Sequence, residues 1–199
     1  EVHPMTIELK NKARDIIEQM NKQGMRVIAV AHKSYLDKTC DFRIEDEKDM
    51  VLIGYLAFLD PPKQSAASAI KQLHEHGIEI KILSGDNDAV VRTIARQVGI
   101  RTDNALTGPI FETMSEEEKM KAVNQTTVFS KLTPIQKTEI ITLLQAQQHT
   151  VGFLGDGIND AAALRQSDIG ISVDSAVDIA KESADIIPVS YTHLRAHET

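Results

Sequence analysis

The chain has 199 residues, 42% hydrophobic and 26% charged, and 22 Lys and Arg against 29 Asp and Glu give a net charge of -7. This composition is typical of one α/β domain, or of one domain with part of another, and it excludes a disordered chain. The negative charge, with no Lys/Arg cluster to offset it, argues against a nucleic-acid partner. The single cysteine, Cys40, excludes a disulfide framework, and no apolar run reaches the roughly 20 residues that span a bilayer.

The first 59 residues predict one helix followed by two strands. Apolar residues recur at helical spacing over 7–23, and Gly24 is placed to end that helix. Two β-type runs follow, at 25–31 and 50–59, and their polar connection predicts an antiparallel pair joined by a solvated loop. The prolines of the segment 60–63 cannot donate to a strand ladder, so we interpret that segment as a hinge or domain boundary.

Beyond this boundary the pattern changes to strands that alternate with helices. Thr133 and Pro134 stand where an N-cap and a first helical residue are expected. The predicted elements are strand 78–83, helix 86–98, a helical insertion over 106–123, strand 127–132, helix 134–148, strand 151–154, helix 160–166, strand 169–173, helix 176–182 and a last strand that begins at Ile186. This alternation predicts a parallel sheet with helices on both faces.

Polar residues follow the predicted strands at the edge of the sheet where ligands bind in such folds. Ser84, Gly85 and Asp86 end one strand and are expected to open a helix, which would offer a hydroxyl and free backbone N–H groups to a phosphate. Taken alone, Gly and Asp after a strand are more often an ordinary turn.

The segment 155–160 is more specific. Two glycines allow close approach of a ligand, and Asp156 and Asp160, with Asn159 between them, offer oxygen ligands for Mg²⁺. Lys137, early in the helix that follows another strand, can neutralise a phosphoryl group at the same edge, although an exposed lysine is usually only solvated.

These residues together describe a phosphoryl-transfer site that lacks a nucleophile. Aspartyl-phosphate chemistry needs one further carboxylate to attack the γ-phosphoryl group. The segment 37–39, Asp-Lys-Thr, is a poor candidate, because a Cys-Asp pair follows it and no buried strand precedes it.

Four motifs in this order and spacing resemble the signatures of P-type cation-transporting ATPases. They are Asp-Pro-Pro-Lys at 60–63, Ser-Gly-Asp at 84–86, the stretch from Phe129 to Lys137, and Gly-Asp-Gly-Ile-Asn-Asp-Ala at 155–161. The resemblance extends from the start of the chain to about Ile187, and within the family it is greatest to bacterial magnesium-importing members.

The resemblance implies a haloacid-dehalogenase-like Rossmann fold for an incomplete P-domain at 60–188, after a small α+β piece of the nucleotide-binding domain at 1–59. Carried over by position, Ser84 and Gly85 would hold phosphoryl oxygens and Lys137 would neutralise the phosphoryl group, as the catalytic residues. Asp156 would bind Mg²⁺, Asn159 and Asp160 would complete that site, and Asp86 would be among the cofactor-binding residues. The sequence has Ser84, Lys131 and Ala162 where Thr, Arg and Pro are usual in the family.

The resemblance also implies ATP as substrate, a transported cation, and membrane attachment through other segments, with these residues on the cytoplasmic side. The phosphorylated Asp is expected to lie outside the 199 residues, on a strand between those that end at Ser84 and Leu154. We therefore expect the chain alone to lack ATPase turnover and to fold poorly. Residues 189–199 resemble a sequencing-adaptor artefact.

Alternatives remain open at this stage. The ion could be calcium or another cation, because the residues that would select it lie in membrane helices. A soluble phosphatase of the same fold would need its own Asp-x-Asp strand. A noncatalytic Mg²⁺ and phosphate-binding module describes the chain as it stands.

Overall fold

The computed structural model of the chain describes residues 2–34, 43–59 and 61–188. Its first elements are helix α1 (Ile7–Lys22) and strands β1 (Met25–His32) and β2 (Val51–Leu59). The side chain of Thr6 caps α1, and Gly24 follows the helix with a φ of +83°, as the sequence predicts. The two strands pair antiparallel along their whole length, with a bulge after Val30. A short 3₁₀ turn, Ile44–Asp46, occupies part of the expected loop between them.

The remaining elements alternate as predicted, with several different boundaries. In chain order they are α2 (Ala66–Glu75), β3 (Ile82–Leu83), α3 (Asp88–Gln97), β4 (Leu106–Thr107), α4 (Gly108–Glu112), α5 (Glu116–Gln125), β5 (Val128–Ser130), α6 (Pro134–Ala146), β6 (Gly152–Leu154), a 3₁₀ turn (Ile158–Asp160), α7 (Ala161–Gln166), β7 (Ile169–Ile171) and α8 (Asp178–Glu182). Helix α2 was not predicted. The insertion predicted as helical begins instead with an edge strand, β4, because Leu106 and Thr107 pair with β5.

The parallel strands form two separate sheets. One has the order β3-β5-β4, and the other contains β6 and β7, extended by a parallel bridge between Ile171 and Ile186. In the described part of the chain, β3 pairs with β5 alone and β6 with β7 alone, so each has one edge without a partner. Strand β3 is shorter than predicted because its pairing begins only where β5 begins, at Val128.

Consecutive residues of β5 build the core on both sides of the first sheet. Val128 packs with Val91, Ala95 and other residues of α3 on one face. Phe129 packs on the other face with residues from α4, α5 and α6, and its ring meets that of Phe111 edge-on at 6.1 Å between centroids. This alternation is the strand period of two, and it places helices on both faces of the sheet as the sequence predicts.

A second core joins β6 to α6, α7 and α8, around Phe153, Ile141 and Leu164. Leu83 of β3 and Val151, just before β6, each pack against both this core and the Phe129 core. The two sheets therefore lie side by side on shared apolar contacts. Leu154 of β6 is left 66% exposed.

Three segments singled out in the sequence lie outside the described residues: 37–39, Asp60, and 189–199. No helix among the described residues has the length and apolar character needed to cross a bilayer.

The unpaired edge of β6 should make the chain self-associate, because an exposed apolar strand edge is a template for pairing. Changing Leu154→Lys should shift the purified chain toward the monomer in light scattering. The matched control Ile135→Lys changes a residue that is 79% exposed on helix α6, away from any strand edge, and should leave association unchanged. Equal effects of the two variants would rule out the β6 edge as the cause.

Asp168 makes stability depend on acid pH. Its carboxylate accepts a 2.7 Å hydrogen bond from the Val151 backbone N–H, and this bond holds the pKa of Asp168 below its usual range. A lowered folded-state pKa stabilises the fold above the unfolded value of about 3.9, and the contribution disappears as the pH falls through the folded-state pKa. In urea unfolding, Asp168→Asn should therefore be less stable than the parent at pH 7 and lose less stability between pH 5 and pH 3. Asp103→Asn, in an exposed turn, should follow the parent chain; an unchanged acid slope in Asp168→Asn would contradict the assignment.

Candidate functional site

In the connection between β6 and α7, the Asp160 side chain lies directly against Gly155. Gly155 is buried at the end of β6, and a Cβ built on it would lie 2.6 Å from the Cβ of Asp160 and 3.0 Å from the Phe153 ring. No side chain other than hydrogen fits there. The Gly155 position therefore lets Asp160 fold back over the strand end.

Lys137 meets Asp160 in a nearly buried ion pair. The Lys137 Nζ lies 2.7 Å from Asp160 Oδ1, and the two side chains are 11% and 13% exposed. The other oxygen of Asp160 accepts a 3.1 Å hydrogen bond from the Gly157 backbone N–H. Both oxygens of Asp160 are therefore engaged by the protein, and the ammonium group is held at the carboxyl end of β6.

The start of α6 explains why Lys137 lies at this edge. The Thr133 hydroxyl accepts from the Gln136 N–H at 3.2 Å, while the Gln136 side chain accepts from the Thr133 N–H at 3.0 Å. This reciprocal capping box, with Pro134 at the first helical position, fixes the first turn of the helix. Lys137 follows as the fourth helical residue, close behind strand β5.

Asp156 differs from Asp160 in having a free carboxylate. Its backbone carbonyl accepts from the Val177 N–H at 3.2 Å, but within residues 2–34, 43–59 and 61–188 no group pairs with its side chain, which is exposed. Asn159 is exposed beside it. In the described part of the chain, no three His, Cys, Asp or Glu side chains gather into a metal-holding group. A metal ion bound by Asp156 would need ligand oxygens and water to complete its shell.

The loop 84–86 is tied to the connection between β5 and α6. The Leu132 N–H donates to the Ser84 carbonyl at 3.0 Å, and the Lys131 N–H donates to the Asp86 carbonyl at 2.9 Å. The Ser84 hydroxyl accepts from the Asp86 N–H at 3.1 Å, and a Cβ on Gly85 would stand 3.2 Å from the Leu132 carbonyl. The loop is therefore clamped along one side by backbone hydrogen bonds.

The expectation that Ser84, Gly85 and Asp86 open a helix was wrong. Helix α3 begins at Asp88, because the Asn87 side chain caps it by accepting from the Ala89 N–H at 3.0 Å. The N–H of Asp86 is already bound by Ser84. What the loop can offer a phosphate is therefore the Ser84 hydroxyl, with any donors the backbone leaves free, and not an open helix terminus.

The structure links the predicted residues in two groups. Lys137, Asp160 and Gly157 form one connected group, and Ser84 and Asp86 are joined to Lys131 and Leu132 in the other. The groups are connected through the chain, since Leu132 leads directly into the cap of α6. No hydrogen bond joins Ser84 to Lys137 or to Asp156 in the described ranges, and the sheet is interrupted between the strands that carry Ser84 and Asp156.

Sequence reasoning missed Arg26. Its guanidinium lies 2.5 Å from Asp86 Oδ1, although 60 residues separate the two in the chain. Helix α1 lies against the start of α3, and the two border an open groove of about 240 Å³ that is lined by neither Arg26 nor Asp86. An arginine in an exposed position of β1 gave no local signal of this contact.

Sequence reasoning also missed Asp88, the first residue of α3. The buried Ser130 hydroxyl donates to Asp88 Oδ1 and Arg92 Nε donates to Oδ2, both at 2.7 Å. Burial raises the pKa of Asp88. The hydrogen bonds from Ser130 and Arg92 and the positive charges of Arg92 and Lys131 together lower it by more than burial raises it, so the pKa of Asp88 lies below its usual range. Asp88 is therefore held as a carboxylate.

The fold and this site define a class of protein. Residues 2–168 match the family model described as haloacid dehalogenase-like hydrolase. The chain belongs to this family, and the predicted α/β fold class is confirmed.

The similar proteins found for this chain are P-type ATPases. The chain is 46% identical over 187 residues to the magnesium-transporting ATPase, P-type 1, of Escherichia coli K12, covering 94% of this chain and 21% of that protein. It is 51% identical over 173 residues to the protein of that name in Salmonella typhimurium LT2, covering 85% and 19%, and 35% identical over 189 residues to a calcium-transporting ATPase of Listeria monocytogenes, covering 94% and 22%. The expected resemblance to P-type ATPases is confirmed. The chain spans about a fifth of the length of these relatives.

Breaking the Lys137–Asp160 pair should destabilise the fold. Lys137→Met leaves a nearly buried carboxylate without its partner and should lower the free energy of unfolding by about 3 kcal/mol in urea denaturation. The double variant Lys137→Met/Asp160→Asn removes both charges, keeps an acceptor for Gly157, and should recover much of that loss.

The matched control is Lys121→Met. Lys121 pairs with Glu117 at the same 2.7 Å, but both side chains are well exposed. Its removal should cost at most about 0.5 kcal/mol. Equal losses from the two single variants would show that the burial of Lys137 has no energetic consequence.

Proposed function

We propose that this chain is part of a magnesium-transporting P-type ATPase, which transfers the γ-phosphoryl group of ATP to an aspartate and couples the cycle to Mg²⁺ transport. The observation that carries the proposal is that the two aspartates of the segment 155–160 have different partners. Asp160 holds Lys137 in a nearly buried pair, while Asp156 presents a free carboxylate a few residues away. The higher identity to magnesium-transporting than to calcium-transporting relatives supports Mg²⁺ as the transported ion.

The residues of this edge fit a Mg²⁺ ion that is shared with a phosphate. Mg²⁺ is usually held by one or two carboxylates, with water and phosphate oxygens as its other ligands, so one free carboxylate is a sufficient protein contribution. Asp156 would supply it, with Asn159 nearby. When bound, the ion neutralises phosphoryl charge. Asp160, predicted from sequence as a second metal ligand, has both oxygens engaged, and we assign it the orientation of Lys137 instead.

The remaining residues act on the phosphoryl group directly. Lys137 would place its ammonium group against the charge that spreads over the phosphoryl oxygens during transfer. Ser84 would donate its hydroxyl hydrogen to one of these oxygens, and Gly85 would let the group approach the loop. Because phosphoryl transfer needs little beyond positioning and charge stabilisation, these contacts are the expected contribution of this chain to the reaction.

The nucleophile would come from a strand between β3 and β6. Both strands have an unpaired edge there in the described part of the chain, and their neighbours share apolar contacts. A carboxylate at the end of an inserted parallel strand would stand between Ser84 and Asp156. Its oxygen would bond to the γ-phosphorus while the bond from that phosphorus to the bridging oxygen breaks and ADP leaves with the electron pair.

The first part of the chain supports ATP as the phosphoryl donor. Arg26 of β1 pairs with Asp86 of the phosphate loop, so the segment that precedes residue 60 supplies a cation beside that loop. We assign 1–59 to the end of a nucleotide-binding domain, 60–188 to a P-domain, and 189–199 to an adaptor artefact. In the complete protein these domains would lie on the cytoplasmic side of the membrane, and other segments of the same chain would cross it.

The test is the formation of an acid-stable, hydroxylamine-sensitive phosphoenzyme from labelled ATP by the complete protein. Asp156→Asn should abolish Mg²⁺-dependent phosphorylation and leave nucleotide affinity within about twofold, because it removes a metal ligand and not a nucleotide contact. The control Asp103→Asn changes an exposed carboxylate near the amino-terminal end of β5 and should retain full labelling.

Two results would overturn the proposal. Labelling that survives in Asp156→Asn would remove the metal role of this residue. A complete protein that hydrolyses small phosphate esters but never carries label from ATP would instead be a soluble phosphatase of the same family. The upstream sequence gives an independent check: an Asp-Lys-Thr-Gly-Thr segment, with hydrophobic spans on both sides, is expected before Asp60.

A further inference from the structure

A network outside the proposed site converges on Asp88. Ser130, the last residue of β5, is fully buried, and its hydroxyl donates to Asp88 Oδ1 across 42 residues of sequence. Arg92 binds the other oxygen, and its remaining nitrogens donate to the carbonyls of Thr102 at 2.8 Å and Ala105 at 3.0 Å. With both its oxygens bound by protein groups, Asp88 is built to hold other groups in place and not to bind a ligand.

The network ends at the turn that clamps the phosphate loop. Lys131 follows Ser130 and has a φ of +52°, a backbone conformation that residues other than glycine rarely adopt. Its N–H donates to the Asp86 carbonyl, and the next N–H, of Leu132, donates to the Ser84 carbonyl. Such a backbone conformation persists only where its surroundings fix it. The Ser130–Asp88 bond fixes the residue at the entrance of this turn.

We propose that Asp88 is a positioning residue that, through Ser130 and the Lys131 turn, sets the place of the Ser84 hydroxyl against the phosphoryl group. Asp88 itself touches no phosphate in this arrangement. Arg92 completes the device by anchoring Asp88 to the segment that leads into β4. This inference rests on the proposed function, because it gives the Ser84 hydroxyl a phosphate to bind.

The test measures inorganic phosphate as a competitor of ATP-dependent phosphoenzyme formation in the complete protein. Asp88→Ala should raise the inhibition constant of phosphate about tenfold, because a displacement of the Ser84 hydroxyl by about an ångström has a large effect on its contact with phosphate. Nucleotide affinity should stay within about twofold. Asp103→Asn, whose carboxylate pairs with Arg101 in an exposed turn, is the control and should leave both constants unchanged.

The discriminating measurement repeats Asp88→Ala in a Ser84→Ala background. If Asp88 acts by placing the Ser84 hydroxyl, its removal should have less than about a twofold effect once that hydroxyl is gone. A general loss of packing would instead weaken phosphate binding to the same extent in both backgrounds, and that result would overturn the inference. Should Asp88→Ala fail to fold, Ser130→Ala removes a single hydroxyl and must give the same pattern.

Failure of this inference can be told apart from failure of the proposed function. A parent protein that forms a phosphoenzyme, with Asp88→Ala and Ser130→Ala both unchanged in phosphate inhibition, overturns the role of Asp88 alone. A parent protein that forms no phosphoenzyme from ATP overturns the proposed function, and this inference with it.

Discussion

The arrangement of the site depends on one nearly buried ion pair, Lys137 with Asp160. Two opposite charges that have lost most of their water are stable only when they meet each other and when their remaining polar atoms are bound. That requirement explains the neighbouring residues. Gly155 leaves room for Asp160 to cross the strand end, Gly157 binds its second oxygen, and the cap at Thr133 fixes the helix that carries Lys137.

Local signals predicted the elements well where a cap or a turn decides them. Thr133 and Pro134 begin α6 as predicted, and Gly24 follows α1 with a positive φ. Local signals failed where two equally local patterns competed. The start of α3 was predicted at Asp86, but the Asn87 side chain caps the helix. Helix α2 is as amphipathic as α1, and sequence reasoning overlooked it.

Contacts between distant segments could not be predicted, because no local sequence pattern around either residue indicates them. Arg26 pairs with Asp86 across 60 residues of sequence, and Ser130 pairs with Asp88 across 42, and only the tertiary fold brings each pair together. The same limit applies to β4, whose two residues become a strand because β5 offers an edge. Motif spacing located the residues at the sheet edge, but only the fold determines which of them touch.

Three aspartates near this edge differ in what binds their carboxylates. Asp88 has a buried serine and an arginine on its two oxygens, and Asp160 has a lysine and a backbone N–H. To bind a metal, Asp88 or Asp160 would have to release a partner that is itself partly buried. The free-energy cost of that step is larger than for Asp156, whose carboxylate is exposed. Of these three aspartates, the fold therefore leaves Asp156, the proposed metal ligand, with a carboxylate that no protein group engages in the described part of the chain. In the proposed reaction, Asp160 and Asp88 would not contact the metal, but would hold in place the lysine and the loop that contact the phosphoryl group.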